Sequence, residues 1–294
     1  MAFLRVKRSG GHTYAYLVEN HWVPGVAQPR QAVLAYLGRA DRLRIEEIPA
    51  AYRTETVRRA LARIGPAESR RSLAAVGAYR AAFLRALLAA DLAAARREAH
   101  RAVRAIGRDA FYAEVLAEAM HDIGRAWADG RLSISDEHLA TGVAASVVRA
   151  LRGETRPRGP EVLLAVPPGE EHTLALSVAE GVLARRGYTP VNLGGAVPMK
   201  ELVEYVLARR PHAVLISATN DGSAGRAVQL ARAIRRASAE VPVVIGGRAS
   251  AGVRPPSSDP GIEFFSGPVS DLVGSWGSPG TARSRRPGSV GVGS

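Results

Sequence analysis

An acid and a histidine lie two positions apart in the loop PPGEEHT, which follows the apolar run EVLLAV. A short apolar run of this kind indicates a buried strand, so Glu170 and His172 lie just beyond its carboxyl end. A neutral imidazole is a good transition-metal ligand, and a nearby carboxylate that accepts its other N–H fixes the tautomer. We interpret His172 as a candidate metal ligand, although a lone histidine after a strand is more often a surface or capping residue.

Two later strands deliver the loops SATNDGS and GGRAS to the same edge of the predicted sheet. The first loop contains Ser217, Thr219 and Asn220. The second begins with Gly246 and Gly247, whose backbone carries no side-chain bulk. Ligands of open parallel sheets bind beyond the carboxyl ends of the strands. The three loops together predict a site for a metal-bearing ligand with a polar tail, whereas each loop alone is common in sheets that bind nothing.

A third group of residues lies in WADGRLSISDEH, where Trp127 ends one predicted helix. Glu137 and His138 fall in the first turn of the next helix, which Ser133 or Ser135 is expected to cap. The helix dipole favours a carboxylate at that end, and the indole offers a broad apolar face. The plain alternative is a buried tryptophan that packs a helical bundle beside an ordinary N-terminal turn.

Three stretches with different periodicity must position these groups. Residues 1–66 contain the strand-like runs FLRVKR, TYAYLVENHWV and RQAVLAYLG, and then the short helix TETVRRALARIG. Residues 67–153 contain four alanine- and leucine-rich helical segments, for which a four-helix bundle is the simplest packing. Residues 160–275 alternate five strands with helices. We therefore predict an α/β protein with a doubly wound, flavodoxin-like parallel sheet and a disordered tail at 276–294.

The composition limits the classes of protein to which the chain can belong. Its 294 residues suffice for about two domains, and 47% of them are hydrophobic, so a packed core forms readily. The absence of cysteine excludes disulfides and thiolate metal sites and is typical of cytoplasmic proteins. We expect neither a signal peptide nor a membrane span. The net charge of +13 suits contact with nucleic acid but is also common in arginine-rich proteomes.

Residues 160–270 resemble the cobalamin-binding domain shared by methionine synthase, corrinoid methyl-carrier proteins and light-sensing repressors. The motif of that family is an acid, any residue, a histidine, two residues and a glycine, followed by a serine loop and then paired glycines. The segment GYTPVNLGGAVP also resembles the family's second strand and loop. The residues that match the motif, in order, are Glu170, His172, Ser217 and Gly246–Gly247.

The resemblance implies that His172 replaces the dimethylbenzimidazole base as the cobalt ligand. It also implies that the displaced nucleotide tail runs past the loop of Ser217 and Thr219 and along the bare backbone of the paired glycines. The chain departs from the motif at two points. Glutamate replaces aspartate at Glu170, and Ala175 stands where glycine is expected, which adds one methyl group beside the cofactor.

The helical stretch resembles the cap of the CarH-type light sensors, because nine residues separate Trp127 from the pair Glu137–His138. The resemblance implies that the cofactor is adenosylcobalamin, with the indole covering the adenosyl group and Glu137 accepting hydrogen bonds from it. In the known members a histidine follows the tryptophan and binds cobalt after light expels the adenosyl group. Here that residue is Ala128, so either His121 or His138 takes the role, or no second histidine binds.

The N-terminal module differs from the winged helix that begins the known repressors of this group, since we find no helix-turn-helix in it. Residues 3–40 resemble instead a short strand-rich module at the start of some transposases. Residues 1–65 carry eleven basic and five acidic side chains, a surplus of six that suits contact with DNA phosphates. A β-ribbon that joins subunits is the equal alternative.

Together these features predict a cytoplasmic light sensor and transcription regulator that binds adenosylcobalamin and is not an enzyme. Light would break the cobalt–carbon bond and so change assembly or contact with nucleic acid. We expect a homo-oligomer that does not bind membranes. The main alternative is a corrinoid methyl-carrier protein of a methyltransferase system. A subunit of a cobalamin-dependent enzyme would need a catalytic barrel, of which the sequence shows no sign.

Overall fold

The fold was analysed on a computed structural model of the chain. It divides into two compact units, Met1–Phe83 and Leu84–Ser294, each of which is described by itself. No helix in the described part of the chain is long and apolar enough to cross a membrane. Most residues between the predicted helical and α/β stretches, 154–158, and most of the predicted tail, 277–294, lie outside the described residues. The structure describes residues 2–9, 12–21, 30–49, 52–65, 67–153, 159–252, 261–265 and 267–276.

The first unit contains the predicted three-stranded sheet and short helix. Strands β1 (Ala2–Ser9), β2 (His12–His21) and β3 (Arg30–Arg39) form an antiparallel sheet in the order β1-β2-β3. Helix α1 (Glu55–Ile64) begins where the side chain of Thr54 accepts a hydrogen bond from the third residue of the helix. The strands and the helix are those that the sequence predicts.

One face of this sheet supplies a small hydrophobic core. Apolar side chains alternate along β1 and β2, and the buried set packs with residues of α1 and of the turn that precedes it. The opposite face of the sheet carries basic and aromatic residues together with Val18 and Val33. The buried residues are Ala2, Ala15, Leu17, Ala40, Leu43, Ile45, Ile48, Val57 and Leu61.

The four helical segments that the sequence predicts are present, with one irregularity. Its third segment contains a π-helical turn, which the sequence does not reveal and which is rare in helices. Helix α2 spans the boundary between the two units. The segments are α2 (Ala67–Leu88), α3 (Leu92–Ile106), α4 (Arg108–Ala110), the π turn (Phe111–Leu116), α5 (Ala117–Ala128) and α6 (Ile134–Arg152).

Small side chains let the helices of the second unit approach closely. Helix α3 buries Ala95, Ala99 and Ala102, which recur on one face of the helix, and packs against α6. Helix α6 presents Ala140 and Ala144 at the same spacing and also packs against α5. The ends of α5 and α6 are therefore held next to each other.

The second unit also contains the predicted five-stranded sheet. All of its neighbouring strands are parallel, in the order β5-β4-β6-β7-β8. This is the flavodoxin-like order, in which the direction of winding reverses between β4 and β6. The strands are β4 (Glu161–Ala165), β5 (Thr189–Asn192), β6 (Ala213–Ser217), β7 (Val243–Gly246) and β8 (Ile262–Phe264).

Four helices complete the α/β part, and aromatic rings close its amino edge. Tyr188 and His212, which precede β5 and β6, lie with ring centroids 5.6 Å apart. Trp276, the first residue of the predicted tail, contacts both rings at 5.7 and 5.9 Å. The helices are α7 (Leu174–Arg185), α8 (Met199–Arg209), α9 (Asp221–Ala237) and α10 (Val269–Ser275).

The end of β7 comes unusually close to the loop after β6. Gly247 has a φ of +92°, and a methyl group added there would lie 2.3 Å from the carbonyl oxygen of Ala218. That oxygen accepts a hydrogen bond from the backbone N–H of Ala249 at 3.1 Å. A methyl group on the preceding Gly246 would meet the nearest atom, the carbonyl oxygen of Phe265, at 3.6 Å. The two glycines therefore have different structural roles.

Replacement of Gly247 by alanine should destabilise the second unit. We expect Gly247→Ala to lower the free energy of unfolding by about 2 kcal/mol or more, because left-handed backbone and an overpacked methyl group each cost roughly 1–3 kcal/mol. Urea denaturation followed by circular dichroism measures the change. The control Gly246→Ala should change the free energy by less than about 1 kcal/mol, and equal losses in the two variants would refute this account.

Candidate functional site

The turn between β4 and α7 holds Glu170 and His172 in direct contact. It closes through a 3.0 Å hydrogen bond from the backbone N–H of Glu170 to the carbonyl of Pro167, and Gly169 takes a positive φ of 77°. Nδ1 of His172 donates to Oε1 of Glu170, which also accepts the backbone N–H groups of Glu171 and His172 at 3.1 Å. The carboxylate side chain is fully buried, whereas the histidine side chain is 55% exposed.

The second carboxylate oxygen of Glu170 ties this turn to the end of β6. Oε2 accepts hydrogen bonds from the backbone N–H of Thr219 and from Nδ2 of Asn220, both at 3.2 Å. The pKa of Glu170 would rise through burial alone, but hydrogen bonds from His172 and from the β6 loop lower it to about 2. The ionised carboxylate keeps a proton on Nδ1, so Nε2 of His172 presents a lone pair for a metal.

Two buried polar atoms near this turn have no hydrogen-bond partner among the described residues. One is Oγ of Ser217, the last residue of β6, and the other is Nε of Arg226 in α9. The Arg226 guanidinium also reaches the turn, because its Nη2 donates to the carbonyl of Gly169 at 3.4 Å. A ligand with hydroxyl and anionic groups could satisfy both atoms, so the residues present fit a corrinoid whose phosphate-bearing tail enters here.

The predicted cap residues lie where α5 ends and α6 begins. Ser133 caps α6, accepting the N–H of Asp136 at 3.1 Å, so Ser133 rather than Ser135 has this role. Oε2 of Glu137 accepts Nδ1 of His138 at 2.6 Å, and its Oε1 accepts the hydroxyl of Thr141 at 2.8 Å. Each oxygen keeps a further lone pair for a ligand.

Trp127 is 48% exposed, so it is not the buried packing residue of the plain alternative. A large apolar ring that reaches solvent at this position has surface available to cover a ligand. Ala128 ends α5 beside it, and its methyl side chain offers no ligand to a metal. His138 is also exposed, with 69% of its side chain accessible.

Helix α5 faces the carboxyl edge of the sheet through charged residues. Desolvation lowers the pKa of Arg248, whose side chain still reaches solvent, and Arg125 lowers it further against the opposing effect of Glu118. Burial, then Arg248 and Arg125, lower the pKa of His121, which favours a neutral imidazole. Arg248 directly follows Gly246–Gly247, and it is close enough to His121 to lower the pKa of that imidazole. His121 therefore lies on the side of α5 that faces the candidate site.

Helix α7 joins the helical region to strand β5. Arg152, the last residue of α6, donates to Oε1 of Glu180 at 2.8 Å, and Nδ2 of Asn192 donates to Oε2 of the same carboxylate at 3.0 Å. Near the other end of α7, Arg185 pairs with Asp109 at 2.5 Å. Helix α7 begins two residues after His172, so the same helix connects the candidate metal ligand with the carboxyl end of α6.

The structure brings some of the predicted site residues together and leaves others apart. Residues of the sheet edge form one connected group, and residues of the cap form another. Among the described residues, no hydrogen bond or ion pair joins the two groups. Ala175, at the departure from the motif, lies in the first turn of α7 with an exposed side chain. The first group contains Glu170, His172, Ser217, Thr219, Gly246 and Gly247, and the second contains Trp127, Glu137 and His138.

Two matches to family models account for both parts of the second unit. The B12 binding domain family matches residues 160–255, and a second B12 binding domain family matches residues 79–152. The first match contains the Glu170–His172 turn, and the second contains Trp127 and Glu137. Residues 79–152 and 160–255 therefore belong to B12 binding domain families.

Two curated proteins are similar in sequence to part of this chain. The HTH-type transcriptional repressor CarH of Myxococcus xanthus is 34% identical over 139 residues, which are 47% of this chain and 46% of that protein. The HTH-type transcriptional repressor CarA of the same organism is 31% identical over 119 residues, which are 40% and 41% of the two chains. The chain therefore spans less than half the length of these relatives.

A solved structure has a fold similar to that of this chain. The monomethylamine corrinoid protein of Methanosarcina barkeri aligns with 66% of this chain and with 94% of its own length. The TM-score is 0.53 and the sequence identity is 16%, so the likeness concerns the fold alone.

Replacement of His172 by alanine should remove the imidazole ligand from bound cobalamin. We expect the His172→Ala spectrum to be that of a base-off corrinoid without imidazole, and the affinity to fall. Glu170→Gln should weaken binding roughly 10–100-fold, because a residue that orients a metal ligand typically has an effect of this size. Absorption titrations with cobalamin measure both quantities.

The matched control is His100→Ala, which removes an exposed imidazole from α3. It should leave the spectrum and the affinity unchanged. If His172→Ala behaves like this control, His172 is not the ligand.

Proposed function

We propose that this cobalamin-binding protein is an adenosylcobalamin-dependent light sensor that regulates transcription without catalysing a reaction. The cofactor, when bound, supplies a cobalt–carbon bond that light can break. The chain binds the two faces of the corrin and converts the loss of the adenosyl group into altered assembly of a homo-oligomer or altered contact with DNA. The match to two transcriptional repressors supports a regulatory role.

His172 would hold the cobalt of a bound cobalamin. The buried, ionised carboxylate of Glu170 holds the imidazole so that Nε2 points away from the turn. The buried hydroxyl of Ser217 and the Nε of Arg226 supply partners for the nucleotide tail. Thr219, Gly246 and the turn at Gly247 shape the backbone along which that tail lies.

The observation that carries the choice of adenosylcobalamin is the arrangement of Trp127 and Glu137 at the junction of α5 and α6. The exposed indole offers an apolar face, and the carboxylate is fixed by His138 and Thr141 with lone pairs to spare. An adenosyl group has an aromatic base and two ribose hydroxyls, which suit these two side chains. A methyl group would use neither of them.

Helices α6 and α7 could transmit a displacement of the cap, caused by loss of the adenosyl group, to the rest of the second unit. The cap residue Glu137 lies in the first turn of α6, and Arg152 at the other end of that helix is bonded to Glu180 of α7. A rigid helix with a fixed contact at each end transmits a displacement from one end to the other. The ion pair of Arg185 with Asp109 adds a contact between α7 and α4.

The second candidate function is that of a corrinoid methyl carrier, and Ala128 is the observation that favours it. Alanine beside Trp127 provides no ligand to replace a lost adenosyl group. His121 and His138 are the histidines of the helical region near this end of α5 and α6, and each would have to move to bind cobalt. A methyl carrier has no need of such a residue.

Green light should change the absorption spectrum of the adenosylcobalamin-loaded protein without unfolding the protein. We expect the dark spectrum of an alkylcobalamin to convert irreversibly to that of a cobalamin without the adenosyl group. Gel filtration before and after illumination measures assembly on the same samples. Methylcobalamin-loaded protein serves as the control for light damage, since its alkyl group makes no use of the cap.

A photochemical change that leaves both assembly and DNA binding unaltered would contradict the role of light sensor. If the protein also binds methylcobalamin more tightly than adenosylcobalamin, the carrier function is supported instead.

Replacement of Trp127 by alanine should abolish selection of the adenosyl form. The wild-type protein is expected to bind adenosylcobalamin roughly 2- to 12-fold more tightly than methylcobalamin, or more, since contact of an indole with an aromatic base is worth roughly 0.5–1.5 kcal/mol beyond the burial of its area. In Trp127→Ala this preference should disappear. Isothermal titration calorimetry with both cofactors measures the two affinities.

Leu139→Ala is the matched control, because it removes another exposed apolar side chain from the start of α6. The preference should survive in this variant. A wild-type protein without preference, or a Trp127→Ala variant that keeps it, would show that the cap does not select the cofactor.

A further inference from the structure

Arg226 carries a positive charge that no acid in the described part of the chain pairs with. Three other arginines of the second unit, Arg152, Arg185 and Arg209, each pair with a carboxylate. Nη2 of Arg226 donates to the carbonyl of Gly169 at 3.4 Å, and its buried Nε has no partner among the described residues. A buried donor without a partner costs free energy, so this guanidinium is suited to a further acceptor.

The guanidinium of Arg226 lies at the carboxyl edge of the sheet, beside two loops. A methyl group built on Gly169, in the turn after β4, would lie 3.8 Å from Nε and 3.9 Å from Cζ of Arg226. One built on Gly222, in the first turn of α9, would lie 3.8 Å from Nη1. The bond to the Gly169 carbonyl is long for a hydrogen bond, so it holds the side chain only weakly. The guanidinium can therefore turn toward an anion without losing a strong contact.

The acid in the turn after β4 does not use the charge of Arg226. The carboxylate of Glu170 accepts hydrogen bonds from the imidazole of His172, from backbone N–H groups of its own turn and from the loop after β6. These bonds keep Glu170 ionised in spite of its burial, without an ion pair to Arg226. The charge of Arg226 thus remains available to a second anion at the same edge.

The nucleotide tail of cobalamin contains such an anion, because a phosphodiester joins the corrin side chain to the ribose. A guanidinium binds phosphate oxygens through two parallel N–H groups, and Nε with one Nη forms such a pair. We infer that Arg226 binds this phosphate, and that it thereby selects corrinoids that carry the phosphate over corrinoids that lack it. This inference rests on the cobalamin binding that is part of the proposed function.

Another arginine near this edge, Arg248, is the competing candidate. It directly follows Gly247, and its charged form is stabilised by Glu118 and Asp122 of α5. Arg248 therefore has acids of the helical region close to it, whereas Arg226 has no ion pair among the described residues. This difference assigns the phosphate to Arg226.

The test compares two corrinoids that differ by the phosphate. Cobinamide ends before the phosphate, and cobinamide phosphate carries it without the ribose and the base. Because neither compound has a base that must leave cobalt, the comparison isolates the phosphate. Equilibrium dialysis of the full chain against the aquo forms, in phosphate-free buffer, measures both affinities from the absorbance of the corrinoid. Cobalamin is the third ligand, and thermal melts establish that each variant keeps the stability of the wild type.

We expect the wild type to bind cobinamide phosphate roughly 10–100-fold more tightly than cobinamide, the range for hydrogen bonds to a charged group. In Arg226→Gln the two corrinoids should bind with nearly equal affinity. The matched control is Arg236→Gln, which removes the same charge from an exposed position in the last turn of α9. The preference should survive in this control and in Arg248→Gln.

Four results would overturn the inference. The first is a wild type that binds cobinamide and cobinamide phosphate equally. The second is a preference that survives in Arg226→Gln, and the third is a preference lost in Arg236→Gln or Arg248→Gln to the same degree. The fourth is a preference abolished by an equal concentration of inorganic phosphate, which would assign Arg226 to free phosphate. In all four cases cobalamin binding stands, whereas a wild type that does not bind cobalamin would refute the proposed function itself.

Discussion

The hydrogen bond between Nδ1 of His172 and the buried carboxylate of Glu170 is the interaction on which the site depends. Glu170 is ionised although it lies in the interior, because five N–H groups from two loops donate to it. An acid at this position thus does two things at once. It fixes the histidine tautomer that leaves Nε2 open. It also joins the loops that follow β4 and β6, the two strands between which the direction of winding reverses.

The remainder of the second unit gives this pair its surroundings. The parallel sheet places the ends of β4, β6 and β7 at one edge, and Gly247 lets the last two approach where no side chain would fit. The alanine-rich contact of α3 with α6 sets the junction that carries Trp127 and Glu137. Helix α7 begins two residues after His172 and is hydrogen-bonded to the last residue of α6, the helix whose first turn carries Glu137.

Much of this architecture follows from periodicity, and the rest does not. The strands, the helices and a serine cap for α6 can be predicted from alternating apolar residues, helical spacing and capping chemistry. The choice of Ser133 over Ser135 comes from the structure. The π turn at Phe111–Leu116 cannot, since its residues are ordinary helix formers. Nor does the sequence single out Arg226, Arg248 or Glu180. Charged residues are frequent along the chain, and only their contacts in the folded structure distinguish these three.

The most direct test of the account is the source of the nitrogen that binds cobalt. Electron paramagnetic resonance of the cobalt(II) form of bound cobalamin resolves splitting by the axial nitrogen. With unlabelled cofactor and uniformly nitrogen-15-labelled protein, the account predicts that each line becomes a doublet, as expected if Nε2 of His172 is the ligand. Splitting that remains a triplet would show that the cofactor's own base stays on cobalt, and it would contradict the role of the Glu170–His172 pair.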